Sequence, residues 1–208
     1  MPTDKDKQPF CMPSAILVLG LLAVGALLAC FIWKWDYYMV PQPRRPFHVD
    51  FNILRPSGRL GLIWGVVGAV LIAFNLSYLL RRFLIGWHWL GSLRHWLGLH
   101  MITGLIAAMA AILHSTLTVS SPLAALAFWC LQLTTITGLV GMIIYMRLSL
   151  SVEKRQIQGH KPSPKIKRLL QTWRFLHRWL AILLLTALIL HIFVSVRFGD
   201  LWILKGIP

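Results

Sequence analysis

The sequence predicts an all-α protein that crosses a membrane five times. Of its 208 residues, 57% are apolar and only 13% are charged, and the mean hydropathy is +0.69. Soluble domains carry about twice as much charge. The apolar residues recur in blocks of about 20 residues, which is the length that a helix needs to cross a bilayer. Because these blocks cover most of the chain, a soluble domain with one anchor is excluded.

The five predicted spans follow one another along the chain. After an N-terminal tail over residues 1–12, they cover residues 13–33, 60–80, 97–119, 123–146 and 175–196. Interfacial aromatic residues, such as Trp33 and Trp35 after the first span, are typical of span ends. Lys5 and Lys7 precede the first span as in a signal sequence, but the apolar run continues to Trp33. We therefore expect it to be retained as a helix.

The connections between spans differ in composition. The outer loop 34–59 is predicted to be irregular because it contains Pro41, Pro43, Pro46 and Pro56. The inner loop 147–174 is the most basic segment, and a C-terminal tail covers residues 199–208. The inner loop either sets topology and attracts anionic lipid headgroups, or docks an acidic partner subunit.

The distribution of charge predicts the orientation. The chain has 21 Lys and Arg against six Asp and Glu, but its basic residues lie in short connections between spans. Membrane topology explains this pattern better than nucleic-acid binding does. With the N-terminus in the cytoplasm, fourteen basic residues face inward and seven outward. We expect a multi-pass protein of a plasma membrane of the bacterial inner-membrane type, with the C-terminus outside.

Four histidines lie within the predicted spans, where an ionisable side chain indicates function. His100 and His114 are 14 residues apart in the third span, and His177 and His191 are 14 apart in the fifth. Fourteen helical residues place two side chains on about the same face, roughly 21 Å apart. Because the third and fifth spans run parallel, His100 is predicted to face His177 at the inner level. His114 would face His191 at the outer level.

Two facing histidine pairs at different depths predict two b-type haems. A six-coordinate haem iron takes one nitrogen from each side, and facing helices of a bundle supply both. Donors to the haem propionates would be Arg94, Arg174 and Arg178 at the inner level and Arg197 at the outer level.

Other interpretations of these residues stay open. The arginines could serve topology alone, and the histidines could form hydrogen bonds between helices. His95 competes with His100 as inner ligand because it lies only five residues earlier. Zinc is disfavoured because ligands about 21 Å apart cannot share one ion.

Over residues 60–198 this pattern resembles the dihaem b-type cytochromes. Its placement on the third and fifth spans is similar to that in the transmembrane domain of ferric reductases and NADPH oxidases. The spacing is similar to that of cytochrome b of quinol:cytochrome c oxidoreductases. The resemblance implies that His100, His114, His177 and His191 are axial ligands. The predicted architecture is a haem-binding four-helix bundle of spans two to five, with the first span peripheral.

The sequence departs from both families. It contains no glycine-rich dinucleotide fingerprint and no Pro-Glu-Trp-Tyr signature of a quinol site. We therefore expect an electron-transfer subunit of an oxidoreductase complex, with no catalytic residues identified. It would carry electrons across or into the bilayer between partner redox proteins (iron-sulfur, flavin or cytochrome c) or quinone, in a respiratory or photosynthetic-type complex.

The sequence leaves two alternative functions open. One is a proton or metal transporter, for which the best support is a polar group in the fourth span, Gln132, Thr134, Thr135 and Thr137. The other is a cofactor-free anchor subunit. A quinone site beside Arg94, His95 and Trp96 is a further hypothesis, although these residues also suit an ordinary interfacial belt.

Overall fold

The computed structural model describes residues 14–84, 90–119, 121–157 and 164–198, and in these ranges the chain forms helices and short connections without strands. The elements are α1 Ser14–Trp33, α2 Trp35–Met39, a 3-10 helix Gln42–Phe47, α3 Phe51–Leu54, α4 Arg59–Phe83, α5 Leu93–Ser115, α6 Pro122–Ile157 and α7 Pro164–Phe198. The predicted tails, 1–12 and 199–208, lie outside the described residues.

Five of these helices, α1 and α4 to α7, are long and apolar enough to cross a membrane. The all-α fold with five spans is therefore confirmed. The last two span helices run further than the sequence suggests, since α6 ends at Ile157 and α7 begins at Pro164. No glycine or proline lies between Gly141 and Gly159 to end α6. Most of the predicted basic loop 147–174 is therefore helical, and residues 158–163 are outside the described ranges.

The segment 34–58, predicted to be irregular, instead forms three short helices that we call the cap. Pro41 is the N-cap of the 3-10 helix and Pro43 lies in its first turn, where the missing N–H costs nothing, whereas Pro46 lies inside this short helix. Tyr37, Tyr38 and Leu54 of the cap are buried and join one apolar cluster with Leu27 of α1 and Leu113 of α5. The cap is thus a packed part of the fold at the end of α5.

Arg45 ties the cap to α5. Its side chain is only 7% exposed. Nε donates to Val40 O at 2.9 Å, Nη2 to Tyr38 O at 3.0 Å and Nη1 to Thr116 O at 2.6 Å. Thr116 follows the last residue of α5 with a left-handed φ of 52°. A cation at this point satisfies carbonyls that the helix end leaves free and complements the helix dipole.

Small residues let the span helices approach one another. On α5, Ala107 and Ala110 are fully buried, and Gly68 of α4 lies against Ala107. Close contact of this kind is the usual way that membrane helices associate. Residues of α4, α5, α6 and α7 share one core cluster, which contains Ile72, Ala107, Ala108, Cys130, Leu131 and Leu184. The closest helix pairs are α4 with α5 and α6 with α7, and α1 packs on α5. The haem-binding four-helix bundle with a peripheral first span stays a prediction.

The contact between α6 and α7 generates a test of the fold. Gly141 lies so close to Trp173 that an added Cβ would overlap the indole ring. Gly141→Val should therefore destabilise the protein by about 1–3 kcal/mol, the usual cost of overpacking. Gly25→Val is the control, because a Cβ there meets nothing within 4 Å. Thermal unfolding of the detergent-solubilised variants measures the difference, and equal midpoints would contradict this helix contact.

Candidate functional site

The four histidines of α5 and α7 lie in two facing pairs. The ring centroids of His100 and His177 are 6.4 Å apart, and the planes meet at 73°. The rings of His114 and His191 have the same separation, 6.4 Å, and the same angle, 73°. One geometry is thus repeated at two depths of the molecule.

This separation matches two imidazoles that bind one metal ion from opposite sides. A histidine nitrogen binds zinc at about 2.0–2.1 Å, and we take that length as typical of metal–imidazole bonds. Each nitrogen lies about 1.15 Å from the centroid of its five-membered ring, given ring bonds of about 1.35 Å. Opposite ligands therefore have centroids about 6.4 Å apart. In two imidazoles that bind one ion from opposite sides, the binding nitrogens are about 4.1 Å apart, which is too far for a hydrogen bond between them.

Neighbouring groups fix the protonation of one ring in each pair. His114 Nδ1 lies 2.8 Å from Gly61 O, and a carbonyl can only accept, so Nδ1 carries the proton. The Thr137 hydroxyl donates to Thr134 O at 3.0 Å and accepts from His177 Nδ1 at 3.1 Å. In both rings the Nε2 lone pair is consequently free to bind a metal, which is the arrangement that second-shell partners impose on metal-binding histidines.

A cavity adjoins the His100–His177 pair. Its volume is about 120 Å³, which is smaller than the roughly 300–1,000 Å³ that is usual for sites of drug-sized ligands. Its lining is mostly apolar, with polar groups from Asn75, Thr134 and the two histidines. His100 Nδ1 is buried without a hydrogen-bond partner among the described residues. An unpaired buried nitrogen is costly, and a bound water, ion or ligand is one way to satisfy it.

Asn75 of α4 fixes the backbone of α5 beside this cavity. Its amide contacts the Thr103 hydroxyl. In the orientation that satisfies both ends, it donates to His100 O at 3.1 Å and accepts from Gly104 N at 3.3 Å. Sequence reasoning missed Asn75, although a lone amide inside an apolar span is a signal that could have found it.

Glycines make room for the histidine rings. An added Cβ at Gly65 of α4 would lie 2.8 Å from His114 Nδ1, and one at Gly138 of α6 would lie 3.4 Å from His177 Cε1. A side chain at Gly65 would therefore displace the imidazole or the helix. Gly65 and Gly138 thus leave space beside one imidazole of each pair.

The arginines predicted as propionate donors have other contacts in the structure. Arg174 is exposed and donates to Leu170 O of its own helix at 3.2 Å. Arg197 lies over the Phe198 ring at 5.5 Å, and Arg178 is exposed. The side chain of Arg94 is outside the described part of the chain. Their role as donors to a bound group stays a prediction.

Two other sequence-based candidates have local partners. His95, the competitor for the inner position, is exposed and shares a 2.7 Å hydrogen bond with Ser92. His100 is the residue that faces His177. Among the polar residues of α6, Thr134 donates to Cys130 O and Gln132 donates to Ala108 O. The Thr134 bond lies within α6, and the Gln132 bond joins α6 to α5.

The cap holds a polar cluster that the sequence did not indicate. His48 Nε2 lies 3.4 Å from Asp36 Oδ2, and Lys34 forms a 3.0 Å ion pair with Asp50. Lys34 and Asp36 lie at the start of α2, whereas His48 and Asp50 lie in the connection before α3, so the cluster joins two segments that are separate in the sequence. Nearby, burial raises the pKa of Tyr38 to about 12. Burial also raises the pKa of Tyr37, although the charge of Arg45 opposes this shift.

Comparison with known proteins adds no relative. No protein-family model, curated protein or solved structure matches this chain. The fold itself defines the class, an all-helical, multi-pass membrane protein. Within this class, the two histidine pairs are the feature that bears on a more specific function.

The contact of Gly65 with His114 provides a test of the site geometry. Gly65→Ala should destabilise the protein by about 1–3 kcal/mol because the imidazole must move. Gly68→Ala, one turn further along α4, is the control, since its Cβ would make an ordinary 3.6 Å contact with Ala107 O. Thermal unfolding in detergent distinguishes them. A Gly65→Ala protein as stable as the Gly68→Ala protein would show that His114 does not lie against α4.

Proposed function

We propose that this chain is the dihaem cytochrome b subunit of a membrane electron-transfer complex. His100 and His177 would hold one b-type haem, and His114 and His191 would hold the other. The observation that carries the proposal is the repeated 6.4 Å centroid separation, the distance expected for imidazoles on opposite sides of one metal ion. Haem bound at these sites would supply reversible one-electron chemistry at two depths.

The residues around each pair support such a role. Gly61 O and the Thr137 hydroxyl orient His114 and His177, which keeps each Nε2 available as a ligand. Asn75 holds the α5 backbone at His100. Apolar side chains of four helices enclose the space between the pairs. They keep water out and lower the local dielectric, both of which tune a redox centre.

Electron transfer needs partners at the membrane surfaces. We propose an iron-sulfur, flavin or cytochrome c protein, or membrane quinone, as donor or acceptor. The region 147–178 carries nine Lys and Arg residues and extends α6 and α7 beyond their spans. A segment of this composition suits an acidic partner subunit, in addition to its effect on topology.

The alternatives have less support. In a transporter the hydroxyls of α6 would face a pathway, but Thr134 and Thr137 donate to carbonyls of their own helix. A cofactor-free anchor would not require two histidine pairs with the same ring separation. Interhelical hydrogen bonding accounts for one nitrogen of His114 and of His177 and leaves the other nitrogen free.

Histidine replacement tests the proposal directly. The wild-type protein should contain two haems per chain, and His114→Ala or His191→Ala should each leave one. His100→Ala or His177→Ala should remove the other, since a haem with one axial ligand deleted is poorly retained. The measurement is a reduced-minus-oxidised spectrum with a haemochrome count per protein.

His95→Ala is the matched control, because this exposed histidine bonds only to Ser92 at the start of α5. It should keep both haems. Colourless wild-type protein would refute the proposal, and two haems in a His114→Ala protein would refute the assignment of that ligand.

The proposed orientation places the N-terminus in the cytoplasm and the C-terminus outside a bacterial-type plasma membrane. Five membrane crossings would put the two ends of the chain on opposite sides, and the positive-inside rule favours this direction. Alkaline phosphatase fused after residue 208 should be active, whereas the same enzyme inserted between residues 158 and 163 should be inactive. The reverse pattern would invert the assigned topology.

A further inference from the structure

Arg45 brings a buried positive charge close to one histidine pair. All its described hydrogen bonds go to neutral oxygens, namely Val40 O, Tyr38 O, Thr116 O, Thr116 Oγ1 and Thr118 Oγ1. The nearby carboxylates of the cap are bound elsewhere, Asp50 to Lys34 and Asp36 to His48. In the described part of the chain, no carboxylate therefore neutralises Arg45.

Arg45 lies at the end of α5 that carries His114, because it binds Thr116, two residues after His114. The other buried arginine of the described residues, Arg81, binds Leu84 O and Gly91 O. Arg81 lies three residues after Tyr78 on α4. The described groups that contact the His100–His177 rings, such as Tyr78 and Trp173, are neutral.

We infer that Arg45 is a positioning residue whose fixed charge raises the reduction potential of the centre held by His114 and His191. The inference rests on the proposed function. Reduction adds one negative charge at the metal, so a nearby immobile cation favours the reduced form. At an effective dielectric of about 20, a nearby unit charge changes an equilibrium constant by up to roughly tenfold. For a one-electron couple a tenfold change is about 59 mV.

The bonds of Arg45 also make this charge immobile. Three nitrogens bind the ends of α2 and α5, so the guanidinium cannot turn towards solvent or reorganise when the charge on the metal changes. Because the guanidinium stays in place, its electrostatic effect on the metal is not lost by movement when the metal is reduced or oxidised. This distinguishes it from exposed arginines such as Arg44 in the same 3-10 helix.

The first experiment adds a countercharge and leaves Arg45 in place. Thr118 is half-buried, and its hydroxyl accepts from Arg45 Nη1 at 3.1 Å. Thr118→Asp should lower the midpoint potential of the His114–His191 haem by about 59 mV, equivalent to a tenfold change. Thr118→Asn, the neutral control of the same shape, should leave that potential near the wild-type value. Spectroscopic redox titration of the purified protein measures both haems, and the His100→Ala protein identifies the wave of the affected one.

The second experiment removes the charge. Arg45→Gln should shift the same potential downward, Arg45→Lys should shift it less, and Arg44→Gln should shift neither haem. Should Arg45→Gln fail to fold, the comparison of Thr118→Asp with Thr118→Asn decides the question. If the midpoint potentials of both haems are unchanged in Thr118→Asp, the inferred role of Arg45 is overturned. The proposed function is not affected by that result. Absence of haem from the wild type overturns the proposed function and, with it, this inference.

Discussion

The position of α5 is the constraint on which the histidine geometry depends. Neighbouring elements bind its backbone near both ends, Asn75 at His100 and Arg45 beyond His114. Small residues between these points let α4 approach so closely that no side chain separates the two backbones at Gly68. α5 consequently has little freedom to slide or rotate relative to α4. A metal site needs this restraint, because ligands displaced by about 1 Å lose their geometry.

The two pairs share a ring geometry and differ in their surroundings. The His100–His177 pair adjoins an open cavity, and Nδ1 of His100 has no hydrogen-bond partner among the described residues. In the other pair, His114 forms a hydrogen bond with Gly61 O beneath the cap. Two chemically equal centres would have no preferred direction for an electron. Different hydrogen bonds, burial and nearby charge would give each proposed centre its own electronic environment. The asymmetry comes from residues outside the repeated histidine motif.

The spans and the histidine pairs could be predicted because both depend on short-range regularities. Twenty apolar residues predict a spanning helix, and a spacing of 14 puts two histidines on one face. The roles of Arg45 and Asn75 could not be predicted. Arg44 and Arg45 are equivalent neighbours in the sequence, and they differ in burial and in tertiary contacts such as the one between Arg45 and Thr116, 71 positions away. The cap was predicted to be irregular because its prolines obscure short helices that burial of Tyr37 and Leu54 stabilises.

α7 is one uninterrupted helix, Pro164–Phe198, that carries one histidine of each pair and begins before its candidate span. Because His177 and His191 lie on this one element, a tilt or a rotation of α7 would change the ring separation in both pairs together. The two pairs are thus coupled mechanically through a single helix.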